Sequence, residues 1–283
     1  MKCLIAIIVS VLGFGPVDSL FHAGALQPCK EGLETLLTQA DSDKEKAQVL
    51  WRLSRVTLLE GEAVQGKEAR RSVFDKGADY AQKGMKLDPS NEKCYLWHCA
   101  NLGRSLQTRP MMEQASAVPL LLSDLTTILD KLGKTSYSEA WQALAEIYYN
   151  HPFKSNDAAI NFTRRAVACI PKGELRLSTY LSLAKMLQKR DWSASKRLSA
   201  IESNQDKFEK GKASNIERYS FYDGHYGPGG TAPWSSRALS QLSDREEAAA
   251  IVSYALRRYQ LSSAHTPVDK EDYRQLQAFA KTL

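Results

Sequence analysis

The chain has 283 residues, of which 43% are hydrophobic and 25% charged. That is ordinary globular composition, enough for a continuous core, and it excludes a disordered or fibrous chain. The net charge of +6 is too small to indicate nucleic-acid binding, and no basic run with interleaved aromatics accompanies it.

The opening segment reads as an export leader. Lys2 supplies a positive end, and Leu4 to Phe14 is an apolar run too short to span a bilayer. Gly15-Pro16 breaks that run, and Ala23-Gly24-Ala25 fits a small-x-small cleavage site, with Val17-Asp18-Ser19 as a second candidate. Residues 1–25 are therefore expected to be a signal peptide, with an uncleaved anchor as the alternative. The protein is then exported, periplasmic or secreted, and touches a membrane only if this segment anchors it. Pro28 before Cys29 speaks against lipidation. An oxidising compartment permits disulfides. Cys94 and Cys99, however, lie on different faces of one predicted helix and are not expected to bridge.

Every later element reads as helical. Gly32 to Asp41 carries Leu33, Leu36 and Leu37 on one side. Ser42 or Asp43 caps the next helix, Lys46 to Ala63, which holds Leu50, Trp51 and Val56. Lys67 to Leu87 is its partner. There Gly77, Ala81 and Gly84 are small enough for close helix approach, and Asp88-Pro89 stops the helix. Glu92 to Ser105 holds Tyr95, Trp97, Cys99 and Leu102. Pro119 is placed in the first turn of an apolar helix from Val118 to Leu132, closed by Gly133. Ser138 to Pro171 predicts two helices. Trp141, Leu144, Ala145 and Tyr148 recur on one face of the first, and Ala159, Phe162, Ala166 and Ile170 on one face of the second. Asn156 or Asp157 is expected to cap the second. Leu175 to Ser199 is a further pair with Tyr180, Leu183, Ala184 and Leu187. Residues 201–238 are a charged helix followed by a loop, Ser220 to Trp234, dense in glycine and aromatics. Residues 239–283 are two capping helices, the first opened by a Ser243/Glu246 capping box.

Two stretches carry a family resemblance. Trp141, Leu144-Ala145, Tyr148, Ala159, Ala166 and Pro171 match the tetratricopeptide repeat, and Gly77 to Asn91 matches its Leu-Asp-Pro-x-Asn ending. The resemblance implies an all-α solenoid of helical hairpins, about four repeats over residues 26–200. Trp51 to Tyr95 is 44 residues, Tyr95 to Trp141 is 46 and Trp141 to Tyr180 is 39. The repeats are thus longer than the standard length of about 34. In this they resemble the TRAP-transporter-associated tetratricopeptide component and the regulator-of-microtubule-dynamics group. The helices Tyr95 to Gly103 and Leu177 to Lys189 look most like the latter.

The same resemblance implies groove positions on the first helix of each repeat. They are Val49, Arg52 and Val56; Lys93, Leu96 and Ala100; Glu139, Gln142 and Glu146; and Ser178, Leu181 and Lys185. Tyr149 adjoins Gln142 and Glu146. The candidates for partner or ligand contact are Arg52, Lys93, Leu96, Gln142, Glu146, Tyr149, Leu181 and Lys185; ordinary exposed helix surface is the alternative for each. The Ser220–Trp234 loop is either a cover folded over the solenoid or a flap that contacts ligand through Tyr226 and Trp234.

The histidines are dispersed, with no metal-ligand pair and no nucleophile elbow. No enzyme activity, cofactor or metal is therefore expected. The expected function is an exported adaptor that binds a protein or peptide partner, such as a periplasmic solute-binding protein, in its groove. The alternative is a transporter accessory holding a small, partly apolar ligand in the solenoid. Oligomerisation is compatible with either.

Overall fold

The computed structural model describes residues 13–151, 154–211, 213–222, 224 and 230–283. Among these residues the chain is all-α, and its helices pack in consecutive pairs, the arrangement of a helical-hairpin solenoid. Two compact units emerge, residues 1–101 and 102–283.

The first unit contains α1 (Gly15–His22), α2 (Leu26–Gln39), α3 (Asp43–Ala63), α4 (Lys67–Leu87) and α5 (Glu92–Leu106) as far as Asn101. Ser42 starts α3. Its hydroxyl accepts from the Glu45 amide, and the Glu45 carboxylate accepts from the Ser42 amide, so two otherwise unpaired donors are satisfied. The small residues of α4 let helices come together. A Cβ on Gly84 would lie 2.6 Å from the Cys94 sulfur, and one on Gly77 would strike the Asn101 amide. Neither neighbour is free to move aside. The Cys94 thiol is buried and donates to the Ala47 carbonyl, so it is not bridged to Cys99, and the Asn101 amide donates to the carbonyl and hydroxyl of Ser54. Burial, aided by Asp88 and Glu92, pushes the Cys94 thiol up to about 12.

The start of the unit differs from expectation. Residues 1–12, with Lys2 and most of the apolar run, lie outside the described residues. Gly15-Pro16 begins α1, where proline in a first turn has no amide bond to lose. Val17 is buried among Cys29, Leu33, Val49, Leu53 and Val56, and the Cys29 thiol donates to the Val17 carbonyl at 3.2 Å. Among the described residues helical packing thus extends back to α1. Cleavage after Ala25 would take Val17 out of this core.

The second unit holds α6 (Met111–Thr126), a π-helical turn (Thr127–Lys131), α7 (Ser138–Asn150), α8 (Asn156–Ala168), α9 (Leu177–Arg190), α10 (Ala194–Glu209), α11 (Asn215–Tyr219), a 3-10 turn (Leu239–Gln241), α12 (Asp244–Leu261) and α13 (Pro267–Ala280). Two local expectations change. Pro119 sits inside α6, which starts directly after Pro110, so Pro119 interrupts the hydrogen-bond ladder rather than opening it. Ser155, not Asn156 or Asp157, caps α8, because the cap must precede the first helical residue. Trp141 is fully buried in α7, stacked on Phe162 and tilted against Tyr219. Helix α9 packs against α8, α12 and α13 at once.

A buried ionic network ties α12 to α8, α9 and α10. Glu247 is 0% exposed; both its oxygens accept from Arg164 at 2.7 Å, and it also accepts from Arg197 and from the Trp234 indole. Asp244, equally buried, accepts from Nε and Nη2 of Arg190 and from the Trp192 amide.

Candidate functional site

In the first unit the candidate groove is already occupied. Arg52 on α3 is 9% exposed. Its guanidinium lies 3.8 Å from the centre of the Phe14 ring and 4.2 Å from that of Trp51. Nε and Nη2 of Arg52 donate to the Asp18 carboxylate of α1 at 3.0–3.2 Å. One helical turn on, Arg55 donates to the same carboxylate at 2.7 Å and stacks on Phe21 at 3.7 Å. Burial works to raise the Asp18 carboxyl, but the hydrogen bonds and charge of the two arginines outweigh it and hold the group below its ordinary value. The Lys93 ammonium sits 4.5 Å from the centre of the Trp51 ring. Trp51 thus gathers three cations, and Phe14, which precedes α1, with Asp18 and Phe21 of α1 lies across two of them. Arg52 is consequently a clamp for α1, not an open groove position. Leu96 is also buried and does not line an open face.

In the second unit α7 and α9 bring together Gln142, Glu146, Tyr149 and Lys189. The Glu146 carboxylate accepts from Gln142 at 2.9 Å and from Ser182 at 2.8 Å. The Lys189 ammonium lies 4.3 Å from the centre of the Tyr149 ring, and burial together with Glu146 raises the Tyr149 phenol. The Gln142 carbonyl oxygen is buried with no donor among the described residues. Lys185 is exposed on α9, whereas Leu181, one residue after Tyr180, is buried because α9 has neighbours on three helices.

The late loop divides as well. Tyr226 lies outside the described residues. Trp234 is buried, edge-on to Tyr180, with its indole donating to Glu247, so it anchors the loop to the core and is not a surface flap. A cavity of about 300 Å³ is lined by Asp130, Ala213, Ser214, Asn215 and Arg218, a polar set rather than an apolar tunnel. Among the described residues no group of side chains could hold a metal ion, and no helix is long and apolar enough to cross a membrane.

Sequence reasoning missed Asp18 and Arg55. Asp18 was assigned to the leader, and Arg55 is not at a groove offset. Their signal was the arginine pair one turn apart on α3 and the Phe14-x-x-Val17-Asp18-x-x-Phe21 pattern, which puts all four residues on one helical face.

The family described as regulator of microtubule dynamics protein 1-3 matches residues 16–118. The match begins inside α1 and ends inside α6. Over this stretch the chain is similar to that family, in keeping with a helical repeat-like fold. No curated protein matches the chain.

Proposed function

We propose that this is a non-enzymatic helical-repeat protein of tetratricopeptide type that binds a segment of a protein partner on the exposed faces of its first helices. One observation carries the reading: the Trp51–Arg52–Arg55 face of α3 holds an amphipathic helix, α1, through aromatic and carboxylate contacts. A surface that accepts such a helix from its own chain has the chemistry to accept one from another. The Gln142–Glu146–Tyr149 face with Lys185 and Lys189 offers a second, more polar contact region. The net charge of +6 favours an acidic partner. Export belongs to this proposal, with the N-terminal segment left uncleaved as an anchor so that α1 stays in the chain. The family match supports a second reading in which α1 is retained and the chain takes part in regulating microtubule dynamics, as the family's description says of its members.

Charge reversal at two lysines, the half-buried Lys93 and the exposed Lys185, tests the function. Lys93→Glu combined with Lys185→Glu is expected to weaken capture of a cross-linked native partner at least about tenfold, with only a small drop in melting temperature, since Lys185 is exposed and the Lys93–Trp51 contact is worth about 0.5–1 kcal/mol. Undiminished capture by the double variant would defeat it.

A further inference from the structure

We propose that α1 is an exchangeable occupant of a helix-docking site on α3, and that the external ligand of this site is a short amphipathic helix whose acid is flanked by apolar residues four and one positions before it and three after. The inference rests on the reading that this face binds a partner, and deepens it by naming the ligand's chemistry and its internal competitor.

Four observations support it. First, Phe14, Val17, Asp18 and Phe21 contact the body at the spacing of a helix lying in a groove, with Val17 in the apolar slot and Asp18 between Arg52 and Arg55. Second, α1 has eight residues, too few to be a stable helix without its contacts, and Val17 is its one buried residue. An element held by so little is drawn from the low end of local stability. Third, α1 under-satisfies the site. Two guanidiniums share one carboxylate, and Asp18 takes two nitrogens of Arg52 but only Nη2 of Arg55. The buried Nε–H of Arg55 has no acceptor among the described residues. A ligand helix carrying a second acid on this face supplies that acceptor. Fourth, the connection to α2 is Ala23-Gly24-Ala25, exposed at Ala23 and Gly24, with Gly24 at φ +77°, a joint that can turn without steric penalty.

A tether this short gives α1 an effective concentration in the millimolar range. A micromolar helix added from outside is therefore excluded until α1 leaves. Asp18→Lys places like charge against both arginines and should release it. Phe14→Ala with Phe21→Ala releases it without new charge.

The probe is a fluorescein-labelled peptide with the sequence of residues 13–24, and the readout is fluorescence anisotropy with the full chain. Both released variants should bind the peptide at least about tenfold more tightly than the wild type, as removal of an intramolecular competitor requires. Arg55→Ala added to the double phenylalanine variant should abolish most of that gain. Amide exchange in the wild type should be fast in α1 and slow in α3. The proposal is overturned if released variants that keep their helical circular dichroism bind no tighter than wild type, or if α1 is as protected as α3. A concentration-dependent dimer of the released variants would make a second copy the occupant and would also overturn it. None of these outcomes touches the result of charge reversal at Lys93 and Lys185, so the two readings fail separately.

Discussion

Glu247→Gln is expected to cost the second unit about 3–5 kcal/mol, because removing one charge from a buried pair leaves its partners uncompensated. The side chain is 0% exposed, and the Arg164 and Arg197 guanidiniums are 5% and 2% exposed. Glutamine keeps the shape and some hydrogen bonds but removes the charge that Arg164 and Arg197 share, while Asp244 already serves Arg190 as well as Arg197. The pH dependence follows. Burial by itself raises the Glu247 carboxyl, and Arg164 with Arg197 overcomes this and lowers it below its ordinary 4.5. A lowered folded value means the pairing is fully stabilising above about pH 4.5 and is lost as pH falls through the folded value. Urea unfolding at pH 7 should show the full gap between wild type and variant, and the gap should shrink in strong acid. Glu202→Gln, on an exposed position of α10, should change stability by less than about 0.5 kcal/mol. Equal effects at Glu247 and Glu202 would show that the network is not a staple.

Trp141→Ala is expected to cost about 3–5 kcal/mol through the cavity it leaves. The ring is fully buried between Phe162 and Tyr219, and its indole donates to the Thr135 carbonyl at 2.9 Å. That carbonyl also accepts from Arg165, so the lost hydrogen bond is the smaller part and lost packing the larger. Trp141→Phe should therefore cost much less than Trp141→Ala. Thermal melts of the two variants decide it, and equal losses would place the cost in the hydrogen bond instead.

The helices were legible because each carries its own period and punctuation. Ser42 with Glu45 and Ser243 with Glu246 are capping boxes in the sequence and in space. Gly77 and Gly84 announced close approach, and they face Asn101 and Cys94. Trp141 was identifiable as core from its spacing alone. Placement of groove residues fared differently. Offsets from an anchor assume that nothing covers the helix face, yet α1 covers Arg52 and three helices surround α9 at Leu181. Gln142, Glu146 and Tyr149 do come together, because α7 has an open side where its polar residues recur at one-turn spacing. The ionic network could not be read in advance. Arg164 and Glu247 are 83 positions apart, and no local pattern joins them. Where a leader would end is not legible, because an apolar run followed by Gly-Pro describes both a leader's end and the first turn of a short docked helix.

The central claim, that the first-helix faces bind a protein partner, is tested most directly by site-specific photo-cross-linking in the native cell. A photoreactive residue replaces Lys93, Lys185 or, as a control on an exposed position of α10, Glu202. The account predicts that the Lys93 and Lys185 positions yield adducts with the same partner and the Glu202 position does not. Adducts confined to Glu202, or none from either lysine position in a chain that melts like the wild type, would contradict it.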